Sequence, residues 1–260
     1  MTELHVIDEG AGPAVVLLHG IGGSSRTFGP QFAELTQDMR LIAWDAPGYG
    51  ESADVDERLT MDDYADQLAA LIEARCGDGG AHVLGMSWGG VIATRLAIRR
   101  PDLVRSLILG SSTVGSGANP AAAAAMRSRA DDVARDIGAF VEDRARRLLP
   151  ATADDDAVTE VAREMAAVIR PAGYRSAAEA MAATDHTADL TGIDIPTLVI
   201  SGDCDEVTGH AASQALAGGI PGAVYVTLRG AGHLANRDCS DAFNAWTGSF
   251  IQIAERLRSQ

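Results

Sequence analysis

Residues 82–90, with the sequence HVLGMSWGG, join a short apolar run to a serine flanked by glycines. The run at 82–84 is typical of a buried strand, and a helical pattern from Trp88 to Arg100 follows the serine. A turn this sharp leaves no room for Cβ atoms beside Ser87, which accounts for the glycines. G-x-S-x-G between a strand and a helix indicates a strained, exposed nucleophile, whereas a glycine-rich turn that serves only packing is the alternative.

Other short apolar runs on both sides of this stretch predict further strands. They occupy residues 15–18, 41–44, 107–109, 198–200 and 224–226. Helical patterns occupy residues 62–75, 88–100 and 240–258. Strands that alternate with helices predict an α/β fold, with a mostly parallel central sheet flanked by helices.

Residues 113–190 interrupt this alternation, because they contain no strand-like run. Alanine-rich helical patterns occupy 120–137, 140–149, 154–169 and 172–185. We therefore expect a helical cap (lid) over residues 113–190, inserted between two late strands, and a core made of residues 1–112 and 191–260. An extra helical layer that contacts no site is the alternative.

A glycine-rich loop, LHGIGGS at residues 18–24, follows the first core strand. Such a loop can direct a backbone N–H towards the nucleophile elbow. The sequence predicts an oxyanion hole made by the N–H groups of Trp88 and Ile21, with Gly22 as the alternative to Ile21. A phosphate-binding loop is excluded, since the loop lacks the Gly-Lys-Ser/Thr that such a loop needs.

Two neighbouring features are expected to be structural. His19, inside the same loop, is predicted to make a structural hydrogen bond. The segment DAPGYGES, residues 45–52, is predicted to form a rigid turn beside the loop.

Two late segments, GDCDEV and GAGHL, each follow a predicted strand. Their side chains are therefore expected at the carboxyl edge of the sheet, where ligands bind in such folds. His233 would accept the proton of Ser87, and Asp205 would orient the imidazole, with Asp203 as the alternative acid. The chain order serine, aspartate, histidine is the order found with this type of elbow.

Composition narrows the classes of function. The chain has 260 residues, of which 47% are hydrophobic and 22% charged, so it is not a disordered protein. Its net charge is −15, and every basic residue other than histidine is an arginine. Binding to nucleic acid through a basic face is therefore not expected.

The sequence also bears on location. The segment Met1–His5 has no basic region followed by an apolar one, and no run approaches the length of a membrane span, so we expect neither a secretory signal nor a membrane helix. The three cysteines, Cys76, Cys204 and Cys239, lack metal-ligand spacing, and no disulfide is expected. A cytoplasmic protein is the resulting expectation.

The motifs HGIGG, DAPGYGES, GMSWGG, GDCDEV and GAGH resemble, in order, those of the α/β-hydrolase superfamily over essentially the whole chain. Within it, the chain is most similar to the 3-oxoadipate enol-lactonase group. The stretches that carry this similarity are residues 170–174, 188–190, 195–202, 232–236 and 242–244. The resemblance implies hydrolysis of a small carboxylate-bearing enol-lactone in aromatic catabolism, through an acyl-enzyme, with no metal or organic cofactor.

The resemblance also directs attention to residues that contact the substrate. A carboxylate substrate in so acidic a chain would need a local cation, and the candidates are Arg26 and either Arg127 or Arg129. A solvated surface arginine without contact to the substrate is the favoured alternative for each. Gly22 is a further candidate contact. Enol-lactonases usually have a small or aliphatic residue after the serine, so Trp88 is expected to narrow or reshape the pocket.

The same triad leaves other functions open. A general carboxylesterase, a carbon–carbon bond hydrolase or a cofactor-free perhydrolase would use the same residues. A non-catalytic ligand-binding protein of this fold is a remote alternative. The expected partner is a small-molecule substrate, with neither nucleic acid nor a membrane, and the sequence leaves the oligomeric state open.

Overall fold

The computed structural model describes residues 3–55 and 58–258, so Met1 and Thr2 of the N-terminal segment lie outside it. The described residues form a seven-stranded sheet in the order β1-β3-β2-β4-β5-β6-β7. The strands are β1 (Val6–Gly10), β2 (Ala14–Leu18), β3 (Arg40–Trp44), β4 (Ala81–Met86), β5 (Val104–Gly110), β6 (Thr197–Gly202) and β7 (Val224–Leu228). Only the β1–β3 pair of this sheet is antiparallel. The predicted α/β fold is confirmed.

Helices cover both faces of this sheet. Those of the described residues are α1 (Gly29–Leu35), α2 (Met61–Cys76), α3 (Trp88–Arg99), α4 (Pro120–Arg135), α5 (Ile137–Leu148), α6 (Asp155–Val168), α7 (Pro171–Ala183), α8 (Gly209–Gly219), α9 (Ala235–Asp238) and α10 (Ser240–Arg258). No helix in the described ranges is both long and apolar enough to cross a membrane.

The continuous apolar runs form strands because the central strands are buried on both faces. Side chains alternate across a strand, so Val15 and Leu17 of β2 pack into one hydrophobic cluster while Val16 and Leu18 pack into the other. All six residues of β4 are buried. The sheet is thereby fixed between two apolar layers, and its strand ends are held in place.

The sequence patterns did not predict the edge strand β1. Its residues, VIDEG, are only partly buried or exposed, and they pair with one neighbour, β3. An edge strand needs no continuous apolar run, because one of its sides has no partner strand. This accounts for the missing signal.

Four helices, α4 to α7, lie between β5 and β6, where the sequence predicted helices alone. The break between α4 and α5 falls at Asp136, whose carboxylate caps α5 by accepting the Ala139 N–H at 3.0 Å. Asn119 and Asp154 cap α4 and α6 in the same way. The division of the chain into a core and a cap at residues 113 and 190 stays a prediction.

Candidate active site

Ser87 lies at the turn between β4 and α3 and has a strained backbone, with φ 52° and ψ −114°. Left-handed φ values cost a non-glycine residue on the order of 1–3 kcal/mol, so the surroundings must impose this one. The Ser87 N–H donates to the Gly110 carbonyl at 2.8 Å, and the Ser87 carbonyl accepts from Ser112 Oγ at 2.8 Å. The strain is therefore fixed by hydrogen bonds to the end of β5.

The glycines around Ser87 are required by close backbone contacts. A Cβ on Gly85 would lie 2.3 Å from the Gly89 carbonyl oxygen, and one on Gly89 would lie 2.2 Å from the Leu18 carbonyl oxygen. At Gly90 the nearest atom would be Ser112 Oγ, at 2.3 Å. These contacts let α3 begin directly against the sheet, and they explain the glycine pattern in physical terms.

His233 and Asp205 form a buried pair at the ends of β7 and β6. His233 Nδ1 lies 3.1 and 3.0 Å from the two carboxylate oxygens of Asp205. Both residues are buried, with 4% and 7% of their surfaces exposed. Since a carboxylate accepts, Nδ1 carries the proton and Nε2 is the basic nitrogen of the neutral ring.

The protein also stabilises the charge of Asp205. Its carboxylate accepts the backbone N–H groups of Val207 at 2.8 Å and Thr208 at 3.1 Å, and the Thr208 hydroxyl at 2.7 Å. Burial alone would raise the pKa of Asp205, but the hydrogen bonds from His233, Thr208 and Val207 outweigh it and hold that pKa well below its usual value. Asp203, the alternative acid, instead accepts the Gly230 N–H at 2.6 Å on the surface.

The loop that carries His233 is pinned to the end of α5. The His233 N–H donates to the Leu148 carbonyl at 2.9 Å, and the Gly232 N–H donates to Asp238 at 2.8 Å. A Cβ on Gly232 would lie 2.7 Å from the nitrogen of Pro150, so only glycine fits. The histidine is therefore positioned jointly by the sheet edge and by a helix between β5 and β6.

A buried amide cluster supports the same loop from the other side. Gln31 donates to the Asn236 carbonyl and to Asn244 Oδ1, at 2.8 Å each. Asn236 donates back to Gln31 at 3.1 Å. All three side chains are at most 1% exposed, so these bonds join α1, α9 and α10 behind the histidine.

Ser87 and His233 open onto one cavity of about 390 Å³. The core contributes the loop at residues 20–24, and α5 and α6 contribute Leu148 and Met165 among others. The helices between β5 and β6 therefore form part of the wall. A cavity of this volume suits a small molecule.

The predicted oxyanion donors lie beside this cavity. Gly20 to Gly23 form a tight turn, closed by the Gly23 N–H on the Gly20 carbonyl at 2.9 Å, with Gly22 at φ +89°. Ile21 and Gly22 line the cavity, and Trp88 is the first residue of α3, where helical N–H groups have no intrahelical acceptor. The structure thus brings both donor segments next to Ser87.

The expectation that Trp88 narrows the pocket is wrong. Its indole is completely buried, and its ring centroid lies 5.0 Å from that of Tyr64, 5.5 Å from that of Tyr49 and 6.0 Å from that of His19. Trp88 is not among the described residues that line the cavity. Trp88 belongs to a hydrophobic cluster of the core, so its side chain fills space beneath the site and leaves the cavity unchanged.

His19 and the turn at residues 45–52 have the structural roles predicted for them. His19 Nε2 accepts the Ala46 N–H at 3.0 Å, and Nδ1 lies 2.9 Å from the Gly20 carbonyl. Burial lowers the pKa of His19, which favours the neutral ring. The carboxylate of Asp45 accepts the Ser25 N–H at 2.7 Å and the Glu51 N–H at 2.9 Å, and so joins the two loops.

The arginines predicted to bind a substrate carboxylate differ in whether they line the cavity. Arg26 lines the cavity, but its side chain is 77% exposed and lies 3.0 Å from Glu51. The proposed contact between Arg127 and substrate is not supported, because Arg127 lies outside the described lining and bonds to Glu179 at 2.9 Å. Arg129 also lies outside that lining, whereas Arg144, which the sequence reasoning missed, is buried and lines the cavity. The sequence signal that could have identified Arg144 is its helical spacing, which places it on the same face of α5 as the buried residues of that helix.

Known proteins resemble this chain over nearly its whole length. It is 31% identical to the polyketide synthase ThaQ of Burkholderia thailandensis over 98% of this chain, which spans only 12% of that synthase. It is 28% identical to a pimeloyl-[acyl-carrier protein] methyl ester esterase of Neisseria meningitidis, over 92% of this chain and 93% of the esterase.

The solved structures agree with this picture. The enol-lactonase from Burkholderia xenovorans LB400 superposes with a TM-score of 0.86 and 27% identity, over 96% of this chain and 97% of the lactonase. The resemblance to the α/β-hydrolase superfamily inferred from the motifs is thereby confirmed, and an enol-lactonase is among the structural neighbours. Since the model of the alpha/beta hydrolase family matches residues 15–246, the protein belongs to the alpha/beta hydrolase family.

Proposed function

We propose that the protein is a serine hydrolase that cleaves a small ester or lactone through an acyl-enzyme. One observation carries the proposal: Ser87 and His233 open onto the same cavity, and His233 is bonded to the buried carboxylate of Asp205. In this proposal Ser87 is the nucleophile, His233 the general base and Asp205 the group that orients the imidazole.

The proton inventory follows from the hydrogen bonds. His233 gives its Nδ1 proton to the bond with Asp205, so Nε2 is the nitrogen that takes the Ser87 proton as Oγ attacks the carbonyl carbon. The imidazolium then returns that proton to the leaving oxygen as the acyl–oxygen bond breaks. In the second half, His233 takes a proton from water, the hydroxide oxygen attacks the acyl carbon, and Ser87 leaves with the returned proton.

The oxyanion of each tetrahedral intermediate needs donors on the cavity wall. We assign this role to the backbone N–H groups of Trp88 and Ile21, with Gly22 as the alternative in the loop. The N-terminus of α3, directly after Ser87, adds positive potential at the same point.

The specific substrate proposed is 3-oxoadipate enol-lactone. Support comes from the motif resemblance, from the enol-lactonase relative at 27% identity, and from a cavity of about 390 Å³. A general carboxylesterase is the second candidate, favoured by the methyl ester esterase relative. A carbon–carbon bond hydrolase and a perhydrolase share the same triad and are separated by their products.

The test compares hydrolysis of 3-oxoadipate enol-lactone with that of a short 4-nitrophenyl ester, for the wild type and for Ser87→Ala. A natural substrate should give a kcat/KM of about 10⁵ M⁻¹s⁻¹ or more, and Ser87→Ala should lower kcat roughly 10³–10⁶-fold. Labelling by a fluorophosphonate, followed by peptide mass spectrometry, should place the adduct on Ser87.

The possible results distinguish the general proposal, a serine hydrolase, from the specific one, hydrolysis of 3-oxoadipate enol-lactone. Turnover of the activated ester alone would exclude the lactone but keep the hydrolase. A Ser87→Ala protein that keeps near-wild-type turnover would overturn the assignment of the nucleophile.

A further inference from the structure

Arg144 is a buried cation in the wall of the cavity. It lies on α5, only 5% of its surface is exposed, and it belongs to the cavity lining together with Ser87 and His233. Its Nη1 is shielded and has no hydrogen-bond partner within residues 3–55 and 58–258. A guanidinium offers five N–H donors, so much of its bonding capacity is unused.

The other arginines of the described lining are already paired. Arg26 pairs with Glu51, Arg163 with Glu160, and Arg237 with Glu164. Among the residues that the structure describes, Arg144 has no such carboxylate, although it is the most deeply buried of the four. An unpaired charge away from water is strongly unfavourable, so buried charges in proteins are normally paired.

Arg144 keeps its charge at neutral pH. Burial, together with the neighbouring positive charges of Arg129 and Arg147, lowers the pKa of its guanidinium to about 10, while Tyr174 and Asp205 act in the opposite direction. At pH 7 the group is therefore still protonated.

Helix geometry relates the position of Arg144 to the loop that carries His233. Leu148, whose carbonyl holds the His233 N–H at 2.9 Å, lies one turn further along α5. Four residues of α-helix rise about 6 Å, so Arg144 lies about one helical turn from the backbone contact that holds His233, and it lines the same cavity as Ser87.

We propose that Arg144 binds a carboxylate of the substrate, on the part that stays attached to Ser87 in the acyl-enzyme. The proposal rests on the proposed function and narrows its substrate class to esters or lactones with an anionic group a few bonds from the scissile carbonyl. A carboxylate matches the planar guanidinium through two parallel N–H···O bonds. In a lactone the whole opened chain stays on the serine, so the carboxylate remains bound until water releases the product.

The experiment compares charged and neutral substrates of one shape. The charged set is the 4-nitrophenyl monoesters of succinate, glutarate and adipate, each with its neutral isostere; for glutarate this is 4-nitrophenyl 5-methylhexanoate. For Arg144→Gln we expect kcat/KM to fall about 10- to 100-fold on the best monoester, as for loss of a charged hydrogen-bonded pair, and to change less than about threefold on its isostere. Arg144→Lys should recover part of the loss.

The matched control is Arg147→Gln, which removes the same charge from an exposed position on the same helix. It should change kcat/KM less than about threefold on both substrates. An Arg144→Gln variant with equal losses on the charged and neutral esters, or with no loss on the charged one, would overturn the proposal. Circular dichroism and a thermal melt check that each variant is folded.

Binding of glutarate, measured by calorimetry, separates this proposal from the proposed function. Glutarate should bind the wild type at least about tenfold more tightly than Arg144→Gln, as for one charged pair, whether or not any ester is hydrolysed. If the wild type hydrolyses no ester but binds glutarate in this way, the hydrolase assignment fails and the anion site stands. Equal binding by both proteins rejects the anion site even if the esters are hydrolysed.

Discussion

Two groups, each made of a serine, a histidine and a carboxylate, lie at opposite ends of the central sheet. At the carboxyl end, Ser87 and His233 share the cavity, and His233 is bonded to Asp205. At the amino end, His82 Nδ1 lies 2.8 Å from Ser106 Oγ, and Nε2 lies 3.2 Å from a carboxylate oxygen of Glu255. The residue types are thus alike at both ends, and at each end the histidine contacts a carboxylate.

The two groups differ in what surrounds them. Ser106 lies within regular β5, and both it and His82 are completely buried, away from the described cavity. Both ring nitrogens of His82 are occupied by protein partners. Ser87, in contrast, has a strained backbone at the start of α3 and is partly exposed.

A serine, a histidine and a carboxylate do not by themselves make an active site. The carboxyl end, where we propose the active site, differs in its open cavity, in the strained serine at the end of the strand and in the second nitrogen of its histidine, for which the described residues show no partner.

The first prediction compares the two histidines. His233→Ala should lower kcat for the best substrate by roughly 10³–10⁶-fold, because the Ser87 proton then has no acceptor, and Asp205→Asn should lower it somewhat less. His82→Gln and Ser106→Ala should change kcat by less than about threefold, since neither side chain reaches the cavity. Steady-state kinetics on folded variants measures all four.

A large loss of kcat in His82→Gln, with the melting temperature unchanged, would contradict the comparison. It would mean that the buried group at the amino end takes part in turnover. A drop in kcat that follows a drop in stability would not have this meaning, so the thermal melt accompanies each kinetic measurement.

The strands, the elbow and the loops at the carboxyl end were predictable from the sequence because local constraints determine them. The glycines around Ser87 are required by contacts between backbone segments, and the chain position of His233 follows from the order of strands. Such constraints leave a mark on the neighbouring residues. The edge strand β1 has no comparable constraint and left no pattern to recognise.

The side-chain environment could not be predicted in the same way. The direction of the Trp88 indole depends on how α3 packs on the sheet, and the burial of Arg144 depends on how α5 packs over the cavity. Arg127 and Arg144 look alike in the sequence, yet one is paired at the surface and the other lines the cavity. Contacts between segments far apart in the chain decide such cases.

The second prediction concerns the close backbone packing at Gly89, beside the turn that carries Ser87. Gly89→Ala should lower the free energy of unfolding by roughly 1–3 kcal/mol, because its Cβ would lie 2.2 Å from the backbone oxygen of Leu18. Gly248→Ala in α10 is the control, since the nearest atom to its Cβ would be 3.6 Å away, on Leu35. There the change should stay within about 1 kcal/mol of the wild type, because alanine favours helix. Urea unfolding measures both, and equal stabilities would contradict the close packing described for the elbow.

The third prediction concerns pH and the histidine at the amino end of the sheet. Burial lowers the pKa of His82 to about 4, although Glu255 acts in the opposite direction. In the unfolded chain a histidine has a pKa of about 6.5, so the unfolded state binds the proton first as the pH falls. The stabilisation from a neutral His82 is therefore fully present above about pH 6.5 and is lost between about pH 6.5 and 4.

The pH dependence of stability in His82→Gln isolates this contribution. In the wild type the loss amounts to at most about 3 kcal/mol, the value of a shift of this size. The variant should be less stable at pH 7, because it loses the bonds to Ser106 and Glu255, but its stability should fall less steeply towards pH 4. Burial also lowers the pKa of His19 and His186, and since both remain in the variant, their contributions cancel in the difference between the two curves. Urea unfolding at pH 4 to 7 measures both stabilities. If the stability curves of the wild type and the variant were parallel, His82 would take up its proton in the folded protein as readily as in the unfolded one. The amino end of the sheet would then not be the closed environment that distinguishes it from the carboxyl end.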